Sequence, residues 1–406
     1  MNPKKTFSPA RSRRPWLTVV FLGLLAAACG SGNGGSDVQP PPERPNAGVM
    51  GDGGLKPILD YIVADSGIPA VTAMFAHEGV VLEQAASGRR SSALPDEVTG
   101  YDKWHIGSLT KSMTSTLAAI LIEQGSLSWD TTINDVFPEF AGQISAVYAD
   151  VRLDELLSHT GGIPTSSSDL ADAVSAQGGD LVSQRYQFTR RILLEIPAGS
   201  RGDYAYSNAG YIVAGAMLER IGGMSWEALM QQFVFDPLGM ADSGFGAPGL
   251  AGQNDHPSGH IPDGSNWYAL AAGSPDADNP ALFGPAGTVH ASMNDIMNYM
   301  TAHLGGALGN DVPGLLTAQS FARLHDAAPG TAYSMGWDVT PAGLTHIGSN
   351  DRWFAQIIIV PDLAISVFIA VNAGDPYSPD GGIPMQAIVE AGEYLQQRFE
   401  AAFGAG

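Results

Sequence analysis

Ser108 and Lys111 stand three residues apart in Ile106-Gly107-Ser108-Leu109-Thr110-Lys111, at the head of an apolar run through Met113, Leu117, Ile120, Leu121 and Ile122 that stops at Gly125. The run has helical spacing, and Gly125 falls where a helix commonly ends on a left-handed residue, so a helix is predicted here. Residues three apart share a face of its first turn. A hydroxyl beside an amine on that face can be a nucleophile beside its base, although an ordinary polar first turn would read the same way. Two later motifs bear on the choice: Tyr206-Ser207-Asn208, and His346-Ile347-Gly348. Other hydrolytic designs lack their signatures, since neither G-x-S-x-G nor H-E-x-x-H occurs in the chain.

These motifs need elements to hold them. Leu55 to Ala64 suits a helix with Leu55, Ile58, Leu59 and Ile62 on one side, and Ile68 to Ala76 and Val80 to Ala86 read as strands joined by a hairpin at His77-Glu78-Gly79. From Ser108 to about Ala302 the pattern is helical, broken by Gly and Pro loops. It includes a helix from Asn208 to Ile221 and one opened by the capping box at Ser292-Met293-Asn294-Asp295. Ala241 to Gly287 reads as loop, with Phe245, Trp267, Tyr268 and Phe283 as candidate site-lining aromatics. The last quarter supplies strands at Ala332 to Val339, Leu344 to Ile347, Phe354 to Val360 and Ile365 to Asn372, then a helix from about Pro384 to Phe399. Both ends thus contribute strands and the middle contributes helices. An α+β fold follows: an antiparallel sheet built from 53–107 and 325–406, flanked by helices, with a mostly helical domain, 108–324, inserted.

In order and in neighbouring text, the three motifs resemble the serine beta-lactamase and penicillin-binding peptidase superfamily. Class C beta-lactamases, D-alanyl-D-alanine carboxypeptidases, D-aminopeptidases and family VIII carboxylesterases are the nearest groups. Leu156-Leu157-Ser158-His159-Thr160-Gly161-Gly162-Ile163-Pro164 and Pro197-Ala198-Gly199 leading to Tyr204-Ala205-Tyr206-Ser207-Asn208 extend the likeness, which runs from about Leu55 to Phe399. The resemblance implies an acyl-enzyme hydrolase. Ser108 would attack a carbonyl, and Lys111 or Tyr206 would take its proton. Asn208 would hold Lys111 and a substrate carbonyl, and the backbone N–H groups of Ser108 and Ser349 would hold the oxyanion. His159 would be structural. No metal and no cofactor is implied.

One departure concerns the substrate. Relatives with Lys-Thr-Gly as third motif bind a substrate carboxylate there, yet no lysine follows Lys111, and His346-Ile347-Gly348 stands in its place. Ile347 lacks the threonine hydroxyl and His346 is at most partly charged near neutrality, which argues against an efficient beta-lactamase. Arg352 is either a replacement carboxylate ligand or a solvated surface arginine. The expected substrate is a small ester, amide or peptide, with an esterase slightly favoured over a D-amino-acid peptidase. A non-turnover envelope sensor or binding protein is the alternative.

Composition bounds the rest. The 406 residues carry a formal charge of -21, with 44% hydrophobic residues, 50 glycines and 27 prolines, which is a globular and strongly acidic chain. Such a surface repels phosphate, so nucleic acid is not an expected partner. Residues 1–28 hold Lys4, Lys5, Arg11, Arg13 and Arg14 and then an apolar run from Trp16 to Ala28, the form of a signal peptide. Cys29 is the only cysteine. Its setting, Leu25-Ala26-Ala27-Ala28-Cys29-Gly30, resembles a bacterial lipoprotein site, and Ser12-Arg13-Arg14-Pro15-Trp16-Leu17 resembles a twin-arginine signal. The expectation is a lipid anchor at Cys29, a flexible Gly-, Ser- and Pro-rich tether over 29–52, and a cell-envelope location facing the periplasm or the outside.

Overall fold

A computed structural model describes residues 42–165, 167–378 and 380–404. The segment expected to be an export signal, and Cys29, lie outside the described residues. Helix α1 (Leu55–Ser66) buries the predicted Leu55, Ile58, Leu59 and Ile62. Strands β1 (Ala70–His77) and β2 (Val80–Gly88) follow. Glu78 and Gly79 between them both have positive φ, 52° and 77°, as a two-residue turn matched to strand twist requires. After β3 (Lys103–His105) comes a single 3-10 turn, Gly107–Leu109, and then α2 (Thr110–Glu123).

The helical half contains α3 (Ser168–Ser175), α4 (Leu181–Ile192) and α5 (Asn208–Gly222). The stretch expected to be loop, 241–287, holds more structure than that. Its β4 (Gly244–Phe245) and, after the loop, β7 (Val289–Ser292) form a small sheet with β3, and β5 (Gly259–Asp263) pairs with β6 (Asn266–Leu270). Pro262 hides this hairpin from a sequence reading, because proline is confined to strand edges and here sits opposite Trp267 in a two-stranded ribbon. Next come α6 (Met293–Ala307), capped by Ser292 as predicted, β8 (Tyr333–Ser334), β9 (Trp337–Thr340), β10 (Gly343–Ser349), β11 (Phe354–Val360), β12 (Ile365–Val371) and α7 (Gly382–Phe403). The single strand expected over Ala332 to Val339 is two. Met335 (φ 40°) and Gly336 (φ 94°) bend it, and a Cβ on Gly336 would stand 2.3 Å from the Ser112 nitrogen, so the bend lets the chain pass against α2.

The main sheet is antiparallel throughout in the order β2-β1-β12-β11-β10-β9-β8. The two ends of the chain meet at β1 and β12, with Val71 opposite Val371, which is the α+β arrangement expected. On one face α1 and α7 pack over Val71, Phe75, Ile358 and Val367. The other face carries α6 and the large core around α2. Every residue of α2 from Thr110 to Leu121 is buried, so this helix is the axis of the inserted half and not an amphipathic surface helix.

Part of the expected tether is attached to the domain. The buried Arg398 of α7 donates to the carbonyls of Ala47 and Val49 and pairs with Asp52 and Glu83. Gly51 N–H donates to Glu83 at 2.8 Å, and Tyr394 reaches Pro45 and Arg44. The fold therefore begins near residue 44, earlier than the expected boundary at 52.

Candidate active site

Ser108 sits in the 3-10 turn ahead of α2, partly open to solvent, and Lys111 is fully buried on the first turn of α2. Lys111 Nζ lies 2.9 Å from Ser108 Oγ and donates to the Ala286 carbonyl at 2.7 Å. Among the described residues it has no carboxylate partner. Its other neighbours are aromatic: Nζ is 4.8 Å from the Tyr206 ring centre and 5.5 Å from that of Tyr211. Burial without a counter-charge pushes the amine well below its ordinary value of 10.5, because the charged form loses its hydration. Burial thus favours the neutral form of the amine beside the Ser108 hydroxyl.

Tyr206 precedes α5, which Ser207 caps by accepting the Gly210 N–H at 3.1 Å while donating to Pro164 O at 2.6 Å. The Tyr206 ring keeps 36% of its surface open at the mouth of the site. Desolvation nevertheless pushes the phenol up, while a hydrogen bond with the Ser108 hydroxyl pulls the other way. The phenol stays protonated at neutral pH. His159, in left-handed backbone (φ 61°), accepts the Ser207 N–H at 3.1 Å on Nδ1 and lies 4.3 Å, ring to ring, from Tyr206. It supports Tyr206 in the structural role expected of it.

Asn208 departs from expectation. It opens α5 and lines the cleft, but it is not a hydrogen-bond partner of Lys111, whose second contact is the main-chain oxygen of Ala286. A carbonyl leaves no side-chain signature, so the sequence could not announce it. His346 is buried, with Nε2 3.5 Å from the Tyr333 hydroxyl, and burial pushes its imidazole down to about 3. It is uncharged near neutrality, a stronger result than the partial charge expected. Tyr333, which sequence reasoning missed, completes an aromatic wall with His159 (ring centres 4.8 Å apart), Tyr204 and Tyr206. Its only signal is a tyrosine three residues before a Gly-Trp pair in a stretch that reads as strand.

Main chain fits against main chain at the nucleophile. Gly107 has φ +51°, and a Cβ there would stand 2.5 Å from Ser349 N. One on Gly348 would stand 2.0 Å from Ile106 O and 2.9 Å from Ser108 N. Only glycine permits this approach, which brings β10 at 348–349 beside the turn carrying Ser108. Ser349 Oγ accepts the Asp351 N–H at 2.9 Å, so the serine side chain is used locally.

Arg352 fits neither expectation. Its guanidinium donates to the carbonyls of Asp276 and, at 2.7 Å, Asn350, so it braces a loop and is not simply solvated, and no substrate is needed to occupy those donors. A cleft of about 660 Å³ opens beside Ser349, bounded by Asn208, by residues 275–283, by 349–352 and by α3. Asp172, Asp276, Asp278 and Asp351 line it against the single Arg352. Among the described residues no group of three or more His, Cys, Asp or Glu side chains is arranged to hold a metal.

A buried amine next to a serine, on a helix between an antiparallel sheet and a helical insertion, defines a class, and comparison with known proteins bears it out. The model of the family described as Beta-lactamase matches residues 55–389, and the chain belongs to that family. Among curated relatives it is 25% identical over 319 residues to penicillin-binding protein 4 of Amycolatopsis lactamdurans, covering 72% of this chain and 78% of that one. It is also 25% identical over 302 residues to the unguisins hydrolase ungD of Aspergillus violaceofuscus (strain CBS 115571), covering 66% of this chain but only 52% of that one. Among solved structures, the D-amino acid amidase of Ochrobactrum anthropi SV3 complexed with D-phenylalanine superposes with a TM-score of 0.67 at 19% identity, covering 86% and 99% of the two chains. The last likeness shows the fold alone.

Proposed function

We propose that this protein is an exported serine hydrolase that cleaves a small ester or amide through an acyl-enzyme on Ser108. The observation that carries the reading is Lys111: buried, without a carboxylate, and 2.9 Å from Ser108 Oγ. Of the two candidate bases, this environment favours the lysine, since burial lowers its amine well below the ordinary range while it raises the Tyr206 phenol. Ser108 Oγ bonds to the substrate carbonyl carbon as its proton passes to Lys111 Nζ. The carbonyl oxygen takes the negative charge and is held by the N–H groups of Ser108 and Ser349. The bond from carbon to the leaving oxygen or nitrogen then breaks, with Tyr206 donating a proton to the departing group and recovering one from Lys111. Water repeats the sequence on the ester of Ser108, releasing the acid.

The substrate carries no obligatory carboxylate. His346 is uncharged, Ile347 has no hydroxyl, Arg352 Nε and Nη1 donate to carbonyls, and four aspartates line the cleft. This supports an ester, or the amide of an uncharged or cationic compound, over a beta-lactam, and keeps the esterase slightly ahead of the peptidase. A lipid on Cys29 and an envelope location remain part of the proposal. Short-chain p-nitrophenyl esters test it: steady release of p-nitrophenol that Ser108→Ala abolishes is expected. Absence of turnover in the wild type, or equal turnover in the variant, defeats the esterase. Intact-mass detection of a stable Ser108 adduct without turnover would instead identify an acylating sensor.

A further inference from the structure

The turn that presents Ser108 is held by a histidine outside the three motifs. His105 ends β3 and is fully buried, and its Nδ1 accepts the N–H of Gly107 at 3.1 Å. That nitrogen therefore carries no proton, so the ring proton is on Nε2, which lies 2.9 Å from Asp278 Oδ2. The other oxygen of Asp278 accepts from Asn350 Nδ2 at 2.8 Å and from the Asn279 N–H at 2.7 Å. The Asp278 side chain is only 10% exposed. One carboxylate on the cleft wall thus grips two segments at once: through His105, the residue before Ser108, and through Asn350, the residue after Ser349. Those segments carry the two N–H groups assigned to the oxyanion.

We propose that Asp278 is a positioning residue for the oxyanion site, setting the spacing of the Ser108 and Ser349 N–H groups through His105 and Asn350. The inference rests on the hydrolase reading above. A carboxylate suits the post because its two oxygens accept, and all three of its neighbours here, His105 Nε2, Asn350 Nδ2 and the Asn279 N–H, donate. Oxyanion donors act on charge that develops in the transition state, so disturbing their spacing lowers kcat and leaves KM nearly alone. Because Asp278 also lines the cleft, the wall that meets substrate and the site that meets the reacting oxygen are one mechanical unit.

The test uses the purified full chain with a p-nitrophenyl ester, and in parallel the rate of labelling by a fluorophosphonate, which forms its own tetrahedral centre on Ser108. Asp278→Ala is expected to lower kcat by roughly 10- to 100-fold, to leave KM within about threefold, and to slow labelling by a similar factor. His105→Asn keeps an acceptor for the Gly107 N–H in a local turn but loses Asp278, so adding it to Asp278→Ala should cost less than the product of the two single losses. If Asp278→Ala fails to fold, Asp278→Asn takes its place: it retains the acceptor toward His105 and turns a donor toward Asn350, and the same kcat loss is expected. A kcat within twofold of wild type in whichever variant folds, or a loss confined to KM, overturns the proposal. A wild type that neither turns over nor labels overturns the hydrolase reading itself, whereas an active wild type with unaffected variants overturns Asp278 alone.

Discussion

Among the described residues Lys111, Arg185 and Arg398 bury a basic side chain, and the site around Lys111 treats it in the opposite way to the regions that hold the two arginines. On the last turns of α7 Arg398 is enclosed by Glu83, Asp52 and the carbonyls of Ala47 and Val49, and Arg185 on α4 is enclosed by Glu219 and Glu227. At the nucleophile, Lys111 is just as deeply buried and faces one carbonyl, one hydroxyl and two aromatic rings. A buried charge with its counter-charges stays charged and ties the chain together. A buried amine without one gives up its proton and becomes a base. Position in the core does not separate structural from chemical cations in this chain; the company they keep does.

The largest effect should come from the lysine. Lys111→Met removes the base while keeping the volume, and is expected to lower kcat/KM by about 10²–10⁴-fold with thermal stability unchanged or higher. The sign follows from linkage. Below pH 10.5 the unfolded chain protonates this amine and the native state resists, so the lysine costs stability increasingly as pH falls toward its native value, and methionine removes that cost. A calorimetric melt of the variant that is markedly lower than wild type would mean that Lys111 is a structural cation after all.

Arg398→Met inverts the pattern. It strands Glu83 in the core and should lower unfolding free energy by about 3–5 kcal/mol, read from denaturant titration, with specific activity per folded molecule nearly unchanged. A drop in activity equal to that of the lysine variant would erase the distinction between the regions. Subtler is the pH profile. With Lys111 the base, kcat/KM rises with pH through the amine's lowered value and is already level well short of 10.5. With His346 held near 3, KM for a neutral ester should be flat between about pH 5 and 8. An inflection near 6.5 in KM would restore a titrating His346.

Local pattern carried much of this into the sequence. The Ser108–Lys111 contact is a property of helical spacing, the turn at Glu78-Gly79 is written in its residues, and α1 and α6 show their buried face or cap. Across longer range the record thins. The family resemblance points to Asn208 as the partner of the amine, whereas the Ala286 carbonyl that accepts from it is chemically the same at every position. His105 with Asp278, and Arg398 with residues 47–52, join parts of the chain that only the closed sheet brings together, so the first went unread and the domain boundary was placed too late. Gly336 looked like one more glycine until the proximity of Ser112 explained it.

The glycine contacts at 107, 336 and 348 also govern timing. Each is a place where two stretches distant in sequence pass at main-chain distance, the Ser108 turn against β10 at Gly107 and Gly348 and α2 against the bend before β9 at Gly336. Contacts of such long range are slow to form, because the loops they close must be ordered first. Ser108 and Lys111 meet early, within a turn of helix, but the N–H of Ser349 arrives with the far end of the chain. A partly unfolded molecule therefore holds Ser108 and Lys111 side by side with the amine still hydrated and without the main-chain approach at Ser349, so the hydrolytic competence proposed for this chain needs the closed fold.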